Sequence, residues 1–315
     1  MKNNYLNTII FSFTLILFQN LTGQFKYQTQ LPEYLEETSG LCHSPEGLWT
    51  INDGGNGNFI FLYPESHYQK WLTTGSFDYN AIRTYRLPIP NVDWEAISTD
   101  STFLYIGDFG NNRGNRKDLC IYKIRLTELI QLSMPNNVNR PSKYPSTSNK
   151  NNTAVFDFLH LDLIEKIEFS YHDQNKFKER KLHNFDCESM LIQNHQIILL
   201  SKNWKNLQST AYAIPNKKGK HRTVALGKMN PGFLITDATW GKNGIYVCGY
   251  GPSGFQHVAK IDPLKWDIVD RKPLLLQPAQ FEGIYFDAKI QRLVLTTEQR
   301  KTQSATLFLA DWVTQ

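Results

Sequence analysis

Asp93-Trp94-Glu95-Ala96-Ile97 places two acids at the start of a short apolar strand. Four other stretches resemble it: Glu37-Thr38-Ser39-Gly40-Leu41, Asp186-Cys187-Glu188-Ser189-Met190, Thr236-Asp237-Ala238-Thr239-Trp240 and Phe281-Glu282-Gly283-Ile284. Each is followed by a second apolar strand, a loop rich in Gly, Asn or charged residues, and a third strand. Self-similarity at this spacing indicates a repeat architecture.

A fourth strand can be traced in the first four repeats, which predicts four-stranded units. These fourth strands are Ile82 to Leu87, Lys166 to Tyr171, Arg222 to Leu226 and Val269 to Leu276. The fifth repeat has only three strands, and Phe25 to Leu31 near the N-terminus supplies the missing one. The pattern predicts an all-β fold, a β-propeller of five four-stranded blades whose ring is closed by strands from both termini. One short helix is expected, around Thr127 to Leu132.

The number of blades depends on the long interval between Glu95 and Glu188. Residues 134–153 are rich in Asn, Ser, Pro and Lys and are predicted to form an exposed insertion. The alternative is a six-bladed ring in which Ala154 to Leu163 contributes to a degenerate extra blade. In both cases residues 24–315 are expected to form a single propeller domain.

The N-terminus has the layout of a secretory signal peptide. Lys2 precedes an apolar core, Ile9 to Phe18, and a polar stretch ending in Gly23-Gln24. We expect residues 1–23 to be removed, with a retained N-terminal anchor as the alternative. Because no second apolar span follows, we expect a mature chain without a transmembrane span, secreted or periplasmic, and monomeric.

Charge and cysteine content exclude some functions. The net charge of +5 is spread along the chain, and its densest basic stretch, Lys176 to Lys181, is interrupted by Phe177 and Glu179. This pattern is typical of a solvated turn, so no nucleic-acid partner is expected. The four cysteines fall in four repeats and lack metal-ligand spacing. We expect buried free thiols, with one bridge between neighbouring repeats left open.

In a propeller blade, the start of the first strand and the end of the second lie on the same face. The second strands end at Asp53, Asp108, Lys202, Tyr250 and Glu298, and the loops after them emerge beside the opening acids. Functional groups on loops above a rigid scaffold are typical of a binding site. The residues predicted for this ligand-binding rim are Asp53, Asp108, Asn111, Asn112, Arg116, Lys202, Tyr250 and Glu298.

The opening acids predict a metal site. Carboxylates that converge on one channel mouth repel each other and need a cation, a basic partner or raised pKa values. Oxygen ligands without His or thiolate partners favour calcium. The predicted ligands are Glu37, Asp93, Glu95, Glu188, Asp237 and Glu282. The alternative is that each acid caps backbone N–H groups of a neighbouring blade, and in the first repeat Ser39 competes with Glu37 for the position of Glu95.

Two functional hypotheses follow from this acidic face. The first is a non-catalytic propeller that binds a small molecule or a cell-surface partner, with calcium as cofactor. The second is a calcium-dependent hydrolase of a phosphoester, ester or lactone, in which Glu95 or Glu188 is a metal ligand or general base and Lys202 steadies anionic charge. The sequence shows no nucleophile–base pair, which favours binding.

Several of these motifs resemble those of a family of exported bacterial β-propellers common in Bacteroidetes. The resemblance is carried by Asp93 to Ile97, by Tyr105 to Asn112 with Arg116, and by shorter matches at Ser39 to Leu41, Phe169 to Tyr171 and Ser201-Lys202. More remotely, the chain is similar to SdiA-regulated and phytase-like-esterase propellers. The resemblance covers nearly the whole mature chain and implies fold and export. It departs at His172-Asp173-Gln174, where nearer relatives have Asp-Gly.

Overall fold

A computed structural model describes residues 25–131, 159–252, 254–274, 280–300 and 303–312. The predicted signal peptide (residues 1–23) and the predicted insertion (residues 134–153) lie outside these ranges. Strand β1 (Phe25–Gln30) begins the described chain and belongs to the last of five sheets. None of the helices in the described ranges is long and apolar enough to cross a membrane.

The described residues form five antiparallel blades. Blade 1 contains β2 (Thr38–Ser44), β3 (Gly47–Asn52), β4 (Phe59–Pro64) and β5 (Arg83–Arg86). Blade 2 contains β6 (Trp94–Thr99), β7 (Phe103–Asp108), β8 (Cys120–Arg125) and β9 (Ile164–Ser170). Blade 3 contains β10 (Asp186–Gln193), β11 (Gln196–Lys202), β12 (Ser209–Pro215) and, after the short strand β13 (Gly219–Arg222), β14 (Val224–Met229).

Blades 4 and 5 complete the ring. Blade 4 contains β15 (Leu234–Gly241), β16 (Gly244–Tyr250), β17 (Gln256–Asp262) and β18 (Asp267–Leu274). Blade 5 contains β19 (Gln280–Asp287), β20 (Arg292–Glu298), β21 (Thr306–Asp311) and β1. Strand β1 lies antiparallel to β21, with Thr29 opposite Leu307. The prediction of five blades closed by strands from both termini is confirmed, and the six-bladed alternative is excluded.

The apolar core lies between the blades. Each of five buried clusters joins two neighbouring blades, and the inner strands β2, β6, β10, β15 and β19 contact one another around the ring. Trp49 and Trp94, for example, are completely buried in the cluster between blades 1 and 2. All four cysteines lie in blade strands (β2, β8, β10 and β16) and are buried free thiols. The ring is therefore a rigid support for the loops at its ends.

The structure contains a long helix and a short strand that the sequence analysis did not predict. Helix α1 (Glu65–Thr74) follows β4 and buries Tyr68, Trp71 and Leu72, whose spacing places them on one helix face. It ends at Gly75, which takes the left-handed conformation (φ +72°) common at helix C-termini. Strand β13 pairs in parallel with β9 and adds a fifth strand to the outer edge of blade 2. The predicted short helix is confirmed as α2 (Leu126–Gln131).

Every inner strand carries a β-bulge at the same position. The bulged residues are Gly40, Glu95, Glu188, Thr236 and Glu282. A bulge leaves one residue out of the ladder and re-aims its side chain. Gly40 has φ +72°, and a Cβ there would lie 2.7 Å from the backbone nitrogen of Ile97. Blade 1 therefore needs glycine where blades 2, 3 and 5 carry an acid.

Candidate functional site

A cavity of about 220 Å³ opens where the inner strands begin and the second strands end. Its walls come from every blade of the described chain. The lining residues are Thr38, Ser39, Asp53, Glu95, Asn112, Glu188, Lys202, Trp204, Tyr250, Gln280, Glu282, Glu298 and Arg300. The cavity brings together three of the predicted metal ligands and five of the eight predicted rim residues.

Three carboxylates converge on one side of the cavity. One oxygen each from Asp53, Asp93 and Glu95 lie within 4.8 Å of one another, and we call these residues the acidic triad. Two glycines make the approach possible. A Cβ at Gly110 would overlap Glu95 Oε1 and lie 2.5 Å from Asp93 Oδ2, and a Cβ at Gly54 would lie 2.6 Å from Asp93 Oδ1. The spacing of the triad suits a single divalent cation.

The protein environment disfavours ionisation of all three triad carboxyls. Burial, with smaller contributions from Asp93 and Glu298, raises the pKa of Asp53 to about 7. Burial raises the pKa of Asp93 to about 6, although the nearby Arg116 opposes the change. Burial and the adjacent Glu188 raise the pKa of Glu95 well above its usual range. A bound cation would therefore stabilise the triad most at and above neutral pH, where these carboxyls lose their protons.

Arg116 and Asp108 hold the backbone beside the triad. Arg116 Nη2 donates to Asp108 Oδ1 at 2.8 Å, and Arg116 Nη1 donates to the carbonyl of Gly110 at 2.9 Å. The buried Asp108 carboxylate also accepts the backbone N–H of Asp93 at 3.2 Å. These two predicted rim residues therefore position Asp93 and Gly110 rather than line the cavity.

Asn111 ties the loop after β7 to blade 3. Its backbone N–H donates to Asp186 Oδ1 at 2.7 Å, and its Nδ2 donates to the carbonyl of Phe185 at 2.8 Å. The other oxygen of Asp186 accepts Trp204 Nε1 at 2.7 Å, which fixes the indole in the cavity wall. Asn112, the next residue, is exposed at the cavity mouth.

A buried ammonium from blade 3 lies in the cavity wall. Lys202 is 4 % exposed, its Nζ donates to Glu188 Oε1, and it lies 5.0 and 5.2 Å from the ring centroids of Trp204 and Tyr250. Burial lowers its pKa and Glu188 raises it, and the carboxylates prevail, so the pKa of Lys202 lies above its usual value. The second carboxylate oxygen, Glu188 Oε2, is buried without a hydrogen-bond partner. Lys202 therefore stays charged and donates a hydrogen bond to only one of the two carboxylate oxygens of Glu188.

Blade 5 contributes two further acids. Glu282 accepts Gln280 Nε2 at 2.8 Å, and burial, together with Glu298 but against Lys202, raises its pKa to about 8. Glu298 accepts Arg300 Nε at 3.0 Å. Both lining cations that the structure describes, Lys202 and Arg300, are therefore already bonded to carboxylates.

Two of the predicted metal ligands lie elsewhere. Glu37 precedes β2, and its carbonyl accepts the N–H of Asp53 at 2.9 Å. Asp237 follows the bulge of its strand by one residue, so it is not equivalent to Glu95. It is 1 % exposed and accepts N–H groups from Ile284 at 2.8 Å, Ala238 at 2.8 Å and Leu41 at 3.1 Å. Asp237 thus bridges blades 4, 5 and 1, as the capping alternative predicts.

Replacing Asp237 with alanine should cost about 3 kcal/mol or more of unfolding free energy, because three buried N–H donors would lose their acceptor. Urea denaturation measures the loss. Asp270→Ala, which changes a half-buried acid in a surface pair on β18, should cost less than about 1 kcal/mol. A normal stability for Asp237→Ala combined with weaker calcium binding would instead identify Asp237 as a metal ligand.

Sequence reasoning missed some of the site. Asp53 was assigned to the ligand-binding rim, whereas the structure places it in the acidic triad. Trp204 and Gln280 were not predicted, although both line the cavity. Trp204 carries a signal in the sequence, since a tryptophan two residues past a strand end lies in a loop and not in the core.

No family model matches the chain, and no curated protein matches it. The WD40 repeats of RRP9 are similar at TM-score 0.41 and 8 % identity, over 87 % of this chain and 67 % of that one. The WD40 domain of coronin from Toxoplasma gondii is similar at TM-score 0.40 and 12 % identity, over 92 % of this chain and 75 % of that one. A chain of the mitotic checkpoint complex is similar at TM-score 0.42 and 8 % identity, over 92 % of this chain and 92 % of that one. These likenesses concern fold alone.

Proposed function

We propose that the protein is an exported binding propeller that holds calcium at the acidic triad and takes a small ligand into the cavity beside it. The convergence of Asp53, Asp93 and Glu95 on one point supports the proposal most directly. The cavity, open at the face where the loops emerge, gives a ligand access to the cation.

The charge of the cavity favours a bound cation over bound protons alone. Five of its lining residues are acids, and two are bases, so the deprotonated site carries a net charge near −3 before Asp93 is counted. Neither histidine nor cysteine is among the lining residues. Carboxylate, amide and hydroxyl oxygens are the donors of a hard cation, and irregular loop ligands suit calcium better than the strict octahedron of magnesium.

Export is part of the same proposal. The N-terminal segment with Lys2 and the apolar run Ile9 to Phe18 supports secretion or a periplasmic location. Calcium sites of extracellular modules bind with dissociation constants of roughly 10⁻⁴–10⁻³ M. A monomeric mature chain with a triad of this affinity would be loaded at such concentrations.

Calcium titration calorimetry on residues 24–315 tests the proposal. We expect one calcium per chain, and a loss of at least about tenfold in affinity for Glu95→Gln, which removes a charged ligand from the triad. Glu168→Gln, on the outer strand β9, is the matched control and should leave the affinity unchanged. If the wild type binds no calcium, or if the Glu95→Gln variant binds it as tightly as the wild type, the triad is not the site.

Gly110→Ala should weaken calcium binding by about tenfold or more, because the added methyl overlaps Glu95 Oε1 and crowds Asp93. The displaced carboxylates could no longer share one ion. Gly251→Ala on the same rim is the control, since the closest atom to its Cβ is His257 Nε2 at 3.3 Å. Equal affinities for the two variants in calorimetry would contradict this role of Gly110.

A metal-dependent hydrolase is the second candidate. The observation that favours it is the raised pKa of Glu95 and of Glu188 beside the triad, since perturbed carboxyls cluster at catalytic sites. A panel of phosphoesters, esters and lactones, assayed on the calcium-loaded wild type and on Glu188→Gln, distinguishes the candidates. Turnover that disappears in the variant would favour the hydrolase, and no turnover leaves the binding function.

A further inference from the structure

We infer that the ligand of this cavity is an uncharged, hydroxyl-rich molecule of monosaccharide size. The inference rests on the proposed function, because it places this ligand beside the triad calcium. The residues that support it come from blades 3 and 4 and are Glu188, Lys202, Trp204 and Tyr250.

One hydrogen-bond acceptor in this part of the cavity wall lacks a donor. Glu188 is 3 % exposed, lines the cavity and has one oxygen, Oε2, without a partner. A buried acceptor left unsatisfied costs about 1–3 kcal/mol, and more when it is charged. A small rotation of the Glu188 carboxylate into the cavity would let an O–H or N–H group of a ligand bond to Oε2 and recover that energy.

The charge of the cavity disfavours an anionic ligand. Lys202 is bonded to Glu188, and Arg300 donates its Nε to Glu298, so each described base of the lining is already paired with a carboxylate. The acids of the lining outnumber these bases and would repel an anion. An anionic ligand would therefore depend on the calcium alone.

An organic cation is disfavoured for a different reason. The position that a ligand ammonium would take, between the rings of Trp204 and Tyr250 and against Glu188, is already filled by the ammonium of Lys202. The protein thus supplies its own cation there. Neutral hydroxyl groups remain as the donors that fit.

The shape and remaining walls suit a sugar ring. The cavity of about 220 Å³ is smaller than the roughly 300–1,000 Å³ of pockets that take drug-sized ligands. The lining is mainly polar: Gln280, Asn112 and Ser39 add side chains that can bond to sugar hydroxyl groups, and Trp204 and Tyr250 supply part of its smaller apolar share. Vicinal hydroxyl groups can also complete the oxygen shell of calcium.

Saturation-transfer NMR and calorimetry test the inference. The probes are neutral mono- and disaccharides (glucose, galactose, mannose and N-acetylglucosamine and their dimers), glucose 6-phosphate, and spermidine, each with calcium and with chelator. We expect saturable binding of a neutral sugar in calcium, weakened about tenfold by Glu188→Gln and by Tyr250→Leu. Far-UV circular dichroism of both variants should match that of the wild type, which shows that they are folded.

The remaining outcomes separate the ligand class from the calcium site. A protein that binds calcium but takes only glucose 6-phosphate, only spermidine, or no member of the panel overturns the inferred ligand class and leaves the calcium site standing. Sugar binding that persists in chelator, without any calcium binding, supports the ligand class and overturns the metal proposal. Binding of neither calcium nor sugar overturns both.

Discussion

Lys202→Met should lower the free energy of unfolding by about 3–5 kcal/mol, the cost of removing one partner from a buried ion pair. Lys202 and Glu188 are both more than nine-tenths buried, and Glu282 adds a second carboxylate to the field around the ammonium. Without Lys202, Glu188 must either stay charged in a buried site or take up a proton. Denaturant unfolding of the calcium-free protein measures the loss.

The double variant Lys202→Met/Glu188→Gln should recover at least about half of that loss, because it leaves neither charge unpaired. Lys220→Met is the matched control: Lys220 is 84 % exposed, 3.9 Å from Glu168, and its replacement should cost less than about 1 kcal/mol. If Lys202→Met and Lys220→Met cost the same, the buried pair does not hold the centre of the ring together.

Chelation should destabilise the protein strongly at pH 8 and hardly at all at pH 5. The pKa values of Asp93, Asp53 and Glu282 are raised to about 6, 7 and 8 in the folded chain, against about 4 in the unfolded chain. Raised carboxyl pKa values mean that the folded state holds the extra protons. The stabilisation that these protons give the folded state is complete below pH 4 and is lost as the pH rises through 6 to 8.

Calcium at the triad replaces the protons of Asp53 and Asp93 at high pH. With calcium at about 100 times its dissociation constant, binding adds about 2.7 kcal/mol, which corresponds to a rise in melting temperature on the order of 5–10 °C. At pH 5 protons compete for the same oxygens, and the rise should shrink to about 2 °C or less. Calorimetric melting of wild type and Asp93→Asn across this range measures both effects. A calcium effect that is equal at pH 5 and pH 8, or equal in the variant, would contradict a carboxylate site.

The fold could be predicted because each blade repeats its own local signals. Apolar strands at regular spacing, and a three-stranded last repeat complemented by Phe25 to Leu31, determine both the architecture and its closure. Helix α1 was missed because only three apolar residues, Tyr68, Trp71 and Leu72, form its buried face within ten residues. Its stability comes from packing between blades 5 and 1, which local sequence does not reveal.

The site could be predicted only in part, because its register depends on backbone geometry. The β-bulge makes Glu95, Glu188 and Glu282 equivalent and shifts Asp237 by one residue, so Asp237 bonds to neighbouring backbone. Glycine occupies the bulge in blade 1, and its acid arrives instead from the end of the second strand, as Asp53. Repeats aligned by residue type alone cannot distinguish these two placements.

The position of the cation tests the central claim most directly. Crystals of residues 24–315 grown with calcium, or soaked in terbium as its heavier substitute, would show the ion in an anomalous difference map. We predict one strong peak at about 2.3–2.6 Å from oxygens of Asp53, Asp93 and Glu95. A peak beside Glu282 and Glu298 instead, or no peak in the cavity at saturating calcium, would contradict the account.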